Sequence, residues 1–220
     1  MICGTPRTGS SLLCGLLDST GVAGHPESYF REPDEHSWAV RWGIASSPDG
    51  AFSYADYVQA ALATGRTENG VFAARIMWGT LDQVVSKLAT VYPELAGADA
   101  DLLERAFGRT RFVYLRRDDV VAQAVSWHRA EQTSVWFEID QARPERESQP
   151  EREPRFDFDQ IQRLVQLIEE HNAAWREWFA SAGIHPHLVR YEDLDADPVG
   201  VTCGILDFLG LELPAGRKIL

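Results

Sequence analysis

A polar loop near the start of the chain has the residue types that bind a phosphate or a sulfate. Residues 3–11 read C-G-T-P-R-T-G-S-S and lie between a short apolar run and a segment with helical spacing of leucines. A helix N-terminus offers unpaired amide donors and a partial positive charge, so an anion is favoured there. The alternative is an ordinary capped helix with a surface arginine. The predicted anion loop consists of Pro6, Arg7, Thr8, Gly9, Ser10 and Ser11.

The anion loop differs in one residue from the phosphate loop of nucleotide kinases. Gly4 and Gly9 have the spacing of G-x-x-x-x-G-K-[ST], but Ser10 stands where that motif requires lysine. A nucleotide kinase normally uses this lysine on the β- and γ-phosphates of its substrate. The sequence therefore disfavours a P-loop-type nucleotide kinase, which we keep as an alternative, together with a non-catalytic nucleotide-binding protein.

A second basic segment follows a predicted strand that ends at Leu115. Residues 116–119 read Arg-Arg-Asp-Asp and lead into a helical stretch that contains Ser126. A dianionic phosphate needs a cation and directional donors, and this segment supplies both. The alternative is that the two arginines simply pair with the neighbouring acidic residues.

Together these motifs resemble those of sulfotransferases that use 3′-phosphoadenosine 5′-phosphosulfate (PAPS). Residues 6–11 read P-R-T-G-S-S, close to the loop P-[KR]-[ST]-G-[ST]-[ST], and R-Y-E-D-L at 190–194 matches a late motif of these enzymes. The chain is most similar to the bacterial trehalose 2-sulfotransferase type. The segments that show this similarity are T-G-V-A-G-H-P-E-S-Y-F at 20–30, I-M-W at 76–78 and Q-A-V-S-W at 123–127.

This resemblance implies transfer of a sulfuryl group from PAPS to a hydroxyl of a sugar or glycolipid, with 3′-phosphoadenosine 5′-phosphate (PAP) as product. It places the 5′-phosphosulfate on the anion loop, where Arg7 would also stabilise the reacting group. It places the 3′-phosphate on Arg117 and Ser126, with Arg116 as the alternative. It further implies a homodimer and no requirement for a metal.

The resemblance also implies a carboxylate base near the end of the first helix, and Glu27 is the candidate. The family pattern puts the acid two residues after the proline, where this chain has Ser28, so Glu27 stands one residue early. His25 and His128 remain alternatives, because other sulfotransferases use a histidine.

Aromatic side chains and one arginine are candidates for contacting the acceptor. Arg75 could orient an acceptor or stabilise the transferred group. Aromatic rings bind sugar faces, but rings at such positions also serve as core. The aromatic candidates are Tyr29, Phe30, Trp78, Trp127 and Trp136.

Hydrophobic periodicity predicts strands that alternate with helices. This alternation indicates an α/β fold with a mainly parallel central sheet flanked by helices, as in the P-loop-like sulfotransferase fold. We expect a single domain over 1–220, with irregular loops near 30–53 and 141–155. Strands are predicted at 1–5, 71–77, 110–116 and 187–191, and helices at 10–19, 80–92, 159–182 and 198–209.

Composition excludes several classes of protein. The 220 residues carry a formal net charge of −12, which argues against nonspecific nucleic-acid binding. No apolar run reaches the ~18 residues of a membrane span, and no basic region precedes the first apolar segment, so we expect neither a span nor a signal peptide. Three sparse cysteines suit a reducing compartment and match no metal-ligand spacing, so we expect a cytoplasmic protein.

Overall fold

The computed structural model describes residues 1–47, 50–133, 136 and 154–220, and it confirms the predicted α/β fold. Four parallel strands form the sheet of this part of the chain, in the order β2-β1-β3-β4. Their bounds are β1 (Ile2–Gly4), β2 (Arg75–Met77), β3 (Val113–Arg116) and β4 (His187–Arg190).

The register of these strands determines where a ligand can bind. Ile2 pairs with Arg75 on one side and Val113 on the other, so β1 lies in the middle of the sheet. The carboxyl ends of all four strands therefore meet at one edge. The chain leaves β1 toward β2 and later returns to its other side as β3, which makes the β1–β3 crevice a topological switch point. Open parallel sheets bind their ligands at such a point.

Helices cover both faces of the sheet because strand residues alternate between two cores. Ile2 and Leu115 pack with the first and last helices, whereas Cys3 and Tyr114 pack on the opposite face with Trp175. The helices are α1 (Ser10–Thr20), α2 (Glu32–Arg41), α3 (Tyr54–Gly65), α4 (Thr80–Val91), α5 (Asp99–Phe107), α6 (Val120–Thr133), α7 (Phe158–Ser181), α8 (Tyr191–Ala196) and α9 (Pro198–Leu209).

The prediction of an irregular stretch over 30–53 was wrong for most of its first half. Helix α2 occupies 32–41, with a proline in its first turn and three acidic residues that suit the positive end of the helix dipole. Trp38 and Trp42, one turn apart, stack on each other and pack against Tyr29. The second predicted loop, 141–155, lies outside the described residues except for its last two positions.

Two further differences concern the lengths and number of elements. The predicted strand 71–77 is regular only from Arg75 onward, and its earlier part makes isolated bridges, such as Arg66 with Phe72. Helices α3 and α5 were not predicted. Within the described residues, no helix is long and apolar enough to cross a membrane.

Candidate anion-binding site

The anion loop lies at the carboxyl end of β1, in the crevice between β1 and β3. Gly9 is the N-cap of α1 with φ of 80°, and no described side chain caps the helix, so its first amides face the loop without a side-chain acceptor. Arg7 also has a positive φ, 69°, which is uncommon for a residue other than glycine and is often found at functional sites. The backbone thus favours a concave loop with amide donors exposed.

Side-chain bonds join the anion loop to α6. Arg7 Nε donates to Ser126 Oγ at 2.9 Å, and Arg7 Nη1 donates to the carbonyl of Trp136. Buried Gln123, one turn before Ser126, donates from Nε2 to Thr5 Oγ1 at 2.9 Å and to the Pro6 carbonyl at 2.7 Å. The two predicted segments therefore lie side by side.

Tyr191 places the second arginine beside the same loop. Its ring packs so closely on Gly9 that a Cβ there would lie 2.7 Å from Tyr191 Cδ2. The Arg117 guanidinium lies 4.4 Å from the centre of that ring, and its buried Nε has no hydrogen-bond partner among the described residues. Arg116 instead pairs with Asp118 at 2.5 Å. The buried Nε of Arg116 also lacks a partner, so within the described residues the two arginines differ in that only Arg116 has an ion pair.

The first amides of the α6 turn are already occupied by a carboxylate. Glu192 accepts hydrogen bonds from the backbone N–H of Asp118 at 3.1 Å and of Asp119 at 3.2 Å. An anion near this helix would therefore depend on side chains rather than on these two amides. The sequence motif alone did not indicate this role for Glu192.

The candidate bases differ in how they are bonded. The backbone of Glu27 pairs with Ala74 next to β2, and its exposed carboxylate has no partner in the described part of the chain. His25 Nδ1 lies 2.5 Å from an Asp18 carboxylate oxygen. His128 Nε2 lies 3.1 Å from the carbonyl of Arg155. Glu27 is therefore the candidate whose side chain has no partner within the described residues, and the Asp18 contact involves only Nδ1 of the His25 ring.

Arg75 lies between the Glu27 segment and the anion loop. Its Nε donates to Ser28 Oγ at 2.9 Å, and its Nη1 donates to Ser11 Oγ at 2.8 Å. Burial raises the pKa of the nearby Cys14 thiol to about 12, with the Arg75 charge lowering it and the Glu27 charge raising it. Cys14 therefore stays protonated near neutral pH and is not a nucleophile.

Most of the aromatic acceptor candidates are core residues. Tyr29, Phe30 and Trp127 are buried, so their rings are unavailable to a sugar. Trp78 is half-buried and meets Trp175 edge-on, whereas the Trp136 side chain is 39% exposed. Only these last two rings remain candidates from the predicted set. No group of three or more potential metal-ligating side chains occurs within the described residues.

The close contact at Gly9 gives a test of the loop geometry. Gly9→Ala should lower the free energy of unfolding by about 1–2 kcal/mol from the positive φ alone, and further through the Tyr191 contact. Gly15 lies in the same helix with nothing within 4 Å of an added Cβ, so it is the matched control. Gly15→Ala should raise stability by about 0.5–1 kcal/mol. Urea denaturation measures both, and equal effects would contradict the described loop.

Comparisons with known proteins agree with the motifs. A family model described as Stf0 sulphotransferase matches residues 1–219. The trehalose 2-sulfotransferase of Mycobacterium tuberculosis is 28% identical over 234 residues, which cover 96% of this chain and 83% of that protein. The trehalose 2-sulfotransferase of Mycolicibacterium smegmatis has the same identity and coverage. These matches confirm the resemblance inferred from the sequence.

Proposed function

The chain belongs to the Stf0 sulphotransferase family, and we propose that it transfers a sulfuryl group from PAPS to a hydroxyl of a sugar or glycolipid acceptor. The observation that carries this proposal is the Arg7–Ser126 hydrogen bond of 2.9 Å. It joins the loop assigned to the phosphosulfate with the segment assigned to the 3′-phosphate, and a ligand with anions at both ends of an adenosine requires the two to lie together.

The residues present fit a doubly anionic nucleotide. The anion loop supplies uncapped helix amides and the Arg7 guanidinium for the 5′-phosphosulfate. Arg117 has a buried Nε without a partner in the described residues, and it would hold the 3′-phosphate with Ser126. The Walker lysine is absent, so the nucleotide-kinase alternative lacks its main phosphate contact.

The proposed reaction is an in-line displacement at sulfur. A bond forms from the acceptor oxygen to sulfur while the bond from sulfur to the 5′-phosphate oxygen breaks, and PAP leaves. Glu27 would take the proton of the acceptor hydroxyl, because its carboxylate is exposed and unpaired within the described residues. Arg7 and the helix amides would stabilise the charge that grows on the leaving phosphate. This scheme requires no metal.

The names of the relatives support a proposal for the acceptor. Both are trehalose 2-sulfotransferases, so a trehalose-like sugar or a glycolipid that contains one is the acceptor we propose. Trp78 lies directly after β2 at the ligand edge of the sheet and would offer an aromatic face. We further propose a homodimer that works in the cytoplasm.

Ligand binding provides the first test. PAP should raise the melting temperature more than ADP or AMP at equal concentration, because only PAP carries the 3′-phosphate for Arg117 and Ser126. A ligand at about 100 times its Kd adds about 2.7 kcal/mol of stability. Arg117→Ala should reduce the response to PAP toward that of ADP, whereas Arg109→Ala, on an exposed turn before β3, should not. A larger shift with ATP and Mg²⁺ than with PAP would favour a nucleotide kinase.

Transfer itself is tested with labelled PAPS. Trehalose and a crude lipid and glycan extract serve as acceptors, and the labelled product is separated by chromatography. Transfer to a sugar-containing product supports the proposal. Tight PAP binding with no transfer to any of these acceptors would favour a non-catalytic nucleotide-binding protein.

A further inference from the structure

We infer that Arg75 is a positioning residue that holds the segment containing Glu27 in a fixed position relative to the anion loop. We define the acceptor loop as residues 25–29, which contain Glu27. The inference rests on the proposed sulfuryl transfer but concerns a residue to which neither the motifs nor the comparisons assign this role. It differs from direct contact with the acceptor, because Arg75 would act through the two loops that it joins.

The side chain of Arg75 donates hydrogen bonds to both loops. Nε donates to Ser28 Oγ in the acceptor loop at 2.9 Å. Nη1 donates to Ser11 Oγ in the anion loop at 2.8 Å and approaches Ser10 Oγ at 3.4 Å. One guanidinium therefore bridges the residue that follows Glu27 and the first turn of α1.

The backbone of Arg75 holds the same segment. Its N–H donates to the Glu27 carbonyl at 2.9 Å, and Ala74 pairs with Glu27 in a parallel bridge. Arg75 in turn pairs with Ile2 of β1, the strand that leads into the anion loop. Arg75 thus contacts the Glu27 segment through its backbone as well as through its side chain.

The geometry of the guanidinium is what suits Arg75 to this role. Its planar fork presents Nε and Nη1 in fixed relative directions, so Ser28 and Ser11 are held at a fixed separation. A lysine has one compact ammonium on a flexible stem and cannot reproduce that separation. Since a misplacement of about 1 Å at a reacting centre can cost about 100-fold in rate, loss of this bridge should reduce turnover more than donor binding.

The test compares Arg75→Lys, Ser28→Ala and the double variant. Each single change should lower kcat by about 10- to 100-fold while the Kd of PAP stays within about threefold. The double variant should be no slower than Arg75→Lys, because both changes remove the same bridge. Arg109→Lys and Ser86→Ala, both exposed and outside the site, are the matched controls. Multiplicative effects in the double variant, or a PAP Kd that rises as much as kcat falls, would overturn the inference.

A second readout separates this inference from the proposed reaction. Amide hydrogen exchange of unliganded protein should become faster at residues 27–30 in Arg75→Lys and Ser28→Ala, with 80–91 of α4 unchanged. If the wild type transfers no sulfate, the proposed function fails, and exchange still tests the bridge. If the wild type is active but neither exchange nor kcat changes in the variants, the positioning role is wrong.

Discussion

Arg7→Ala should abolish most sulfate transfer, with kcat reduced by about 100- to 1,000-fold, or about 2.7–4 kcal/mol of transition-state stabilisation. Arg7 is the forked cation of the anion loop, and it would stabilise the charge that grows on the leaving phosphate. Single-turnover transfer of labelled PAPS measures the chemical step directly. Because Arg7 also bonds Ser126, the Kd of PAP should rise as well.

Two variants separate the chemistry of Arg7 from its effect on the fold. Arg7→Gly removes the guanidinium but suits the φ of 69°, so relief of strain offsets part of the loss of the hydrogen bonds to Ser126 and Trp136. Its free energy of unfolding should stay within about 1 kcal/mol of wild type, while transfer is lost as in Arg7→Ala. Ser126→Ala keeps the guanidinium and should weaken PAP binding with a smaller loss of kcat. Full transfer by Arg7→Gly would remove Arg7 from the mechanism.

Local motifs were sufficient to predict that the anion loop and the segment after β3 lie together. The glycine and hydroxyl pattern at 3–11 indicated a strand, turn and helix, and the parallel sheet then placed the segment after β3 next to it. These inferences need only the rule that carboxyl ends of parallel strands share an edge. The same rule explains why Arg7 and Ser126, 119 positions apart, are bonded.

Contacts that depend on neighbouring strands were harder to predict. Gln123 and Ser126 lie three residues apart on one helical face, and that spacing was an available signal for a shared partner. Arg75 was a candidate for the acceptor side, but no spacing indicated which residues it contacts. Its bridge depends on β2 pairing with β1 and on the acceptor loop pairing with Ala74, and neither register is encoded within one segment.

Predictions that involved aromatic residues were wrong for a common reason. Trp38 and Trp42 lie among prolines and glycines, so the 30–53 stretch was expected to be irregular, yet their spacing of four is that of a helix that packs on Tyr29. Tyr29 and Phe30 come directly after Ser28, but their side chains pack in the same core. The sequence correctly placed Tyr29 and Phe30 close to Glu27. It did not show where their rings point, because the helices that they pack against had not been predicted.

Glu27→Gln should lower kcat by about 100- to 10,000-fold, the usual contribution of a positioned general base. Glutamine keeps the shape of the side chain and the backbone pairing with Ala74 but cannot take the acceptor proton. PAP binding should stay within about threefold of wild type, because the donor contacts lie on the anion loop, Arg117 and Ser126. The Kd of PAP and the transfer rate are measured on the same preparation.

The controls for Glu27 are variants of the two histidines that remain alternatives, because other sulfotransferases use a histidine as the base. His25→Gln removes the contact with Asp18, and His128→Gln removes the contact with the Arg155 carbonyl. Each should retain most transfer activity, because Glu27 rather than a histidine takes the acceptor proton in the proposed reaction. Ser28→Glu in the Glu27→Gln background places a carboxylate at the family's usual position, beside Arg75. Recovery of transfer in that double variant would show that the site needs a carboxylate on this loop and tolerates a shift of one residue. Unimpaired transfer by Glu27→Gln, with loss of transfer in either histidine variant, would reassign the base to that histidine.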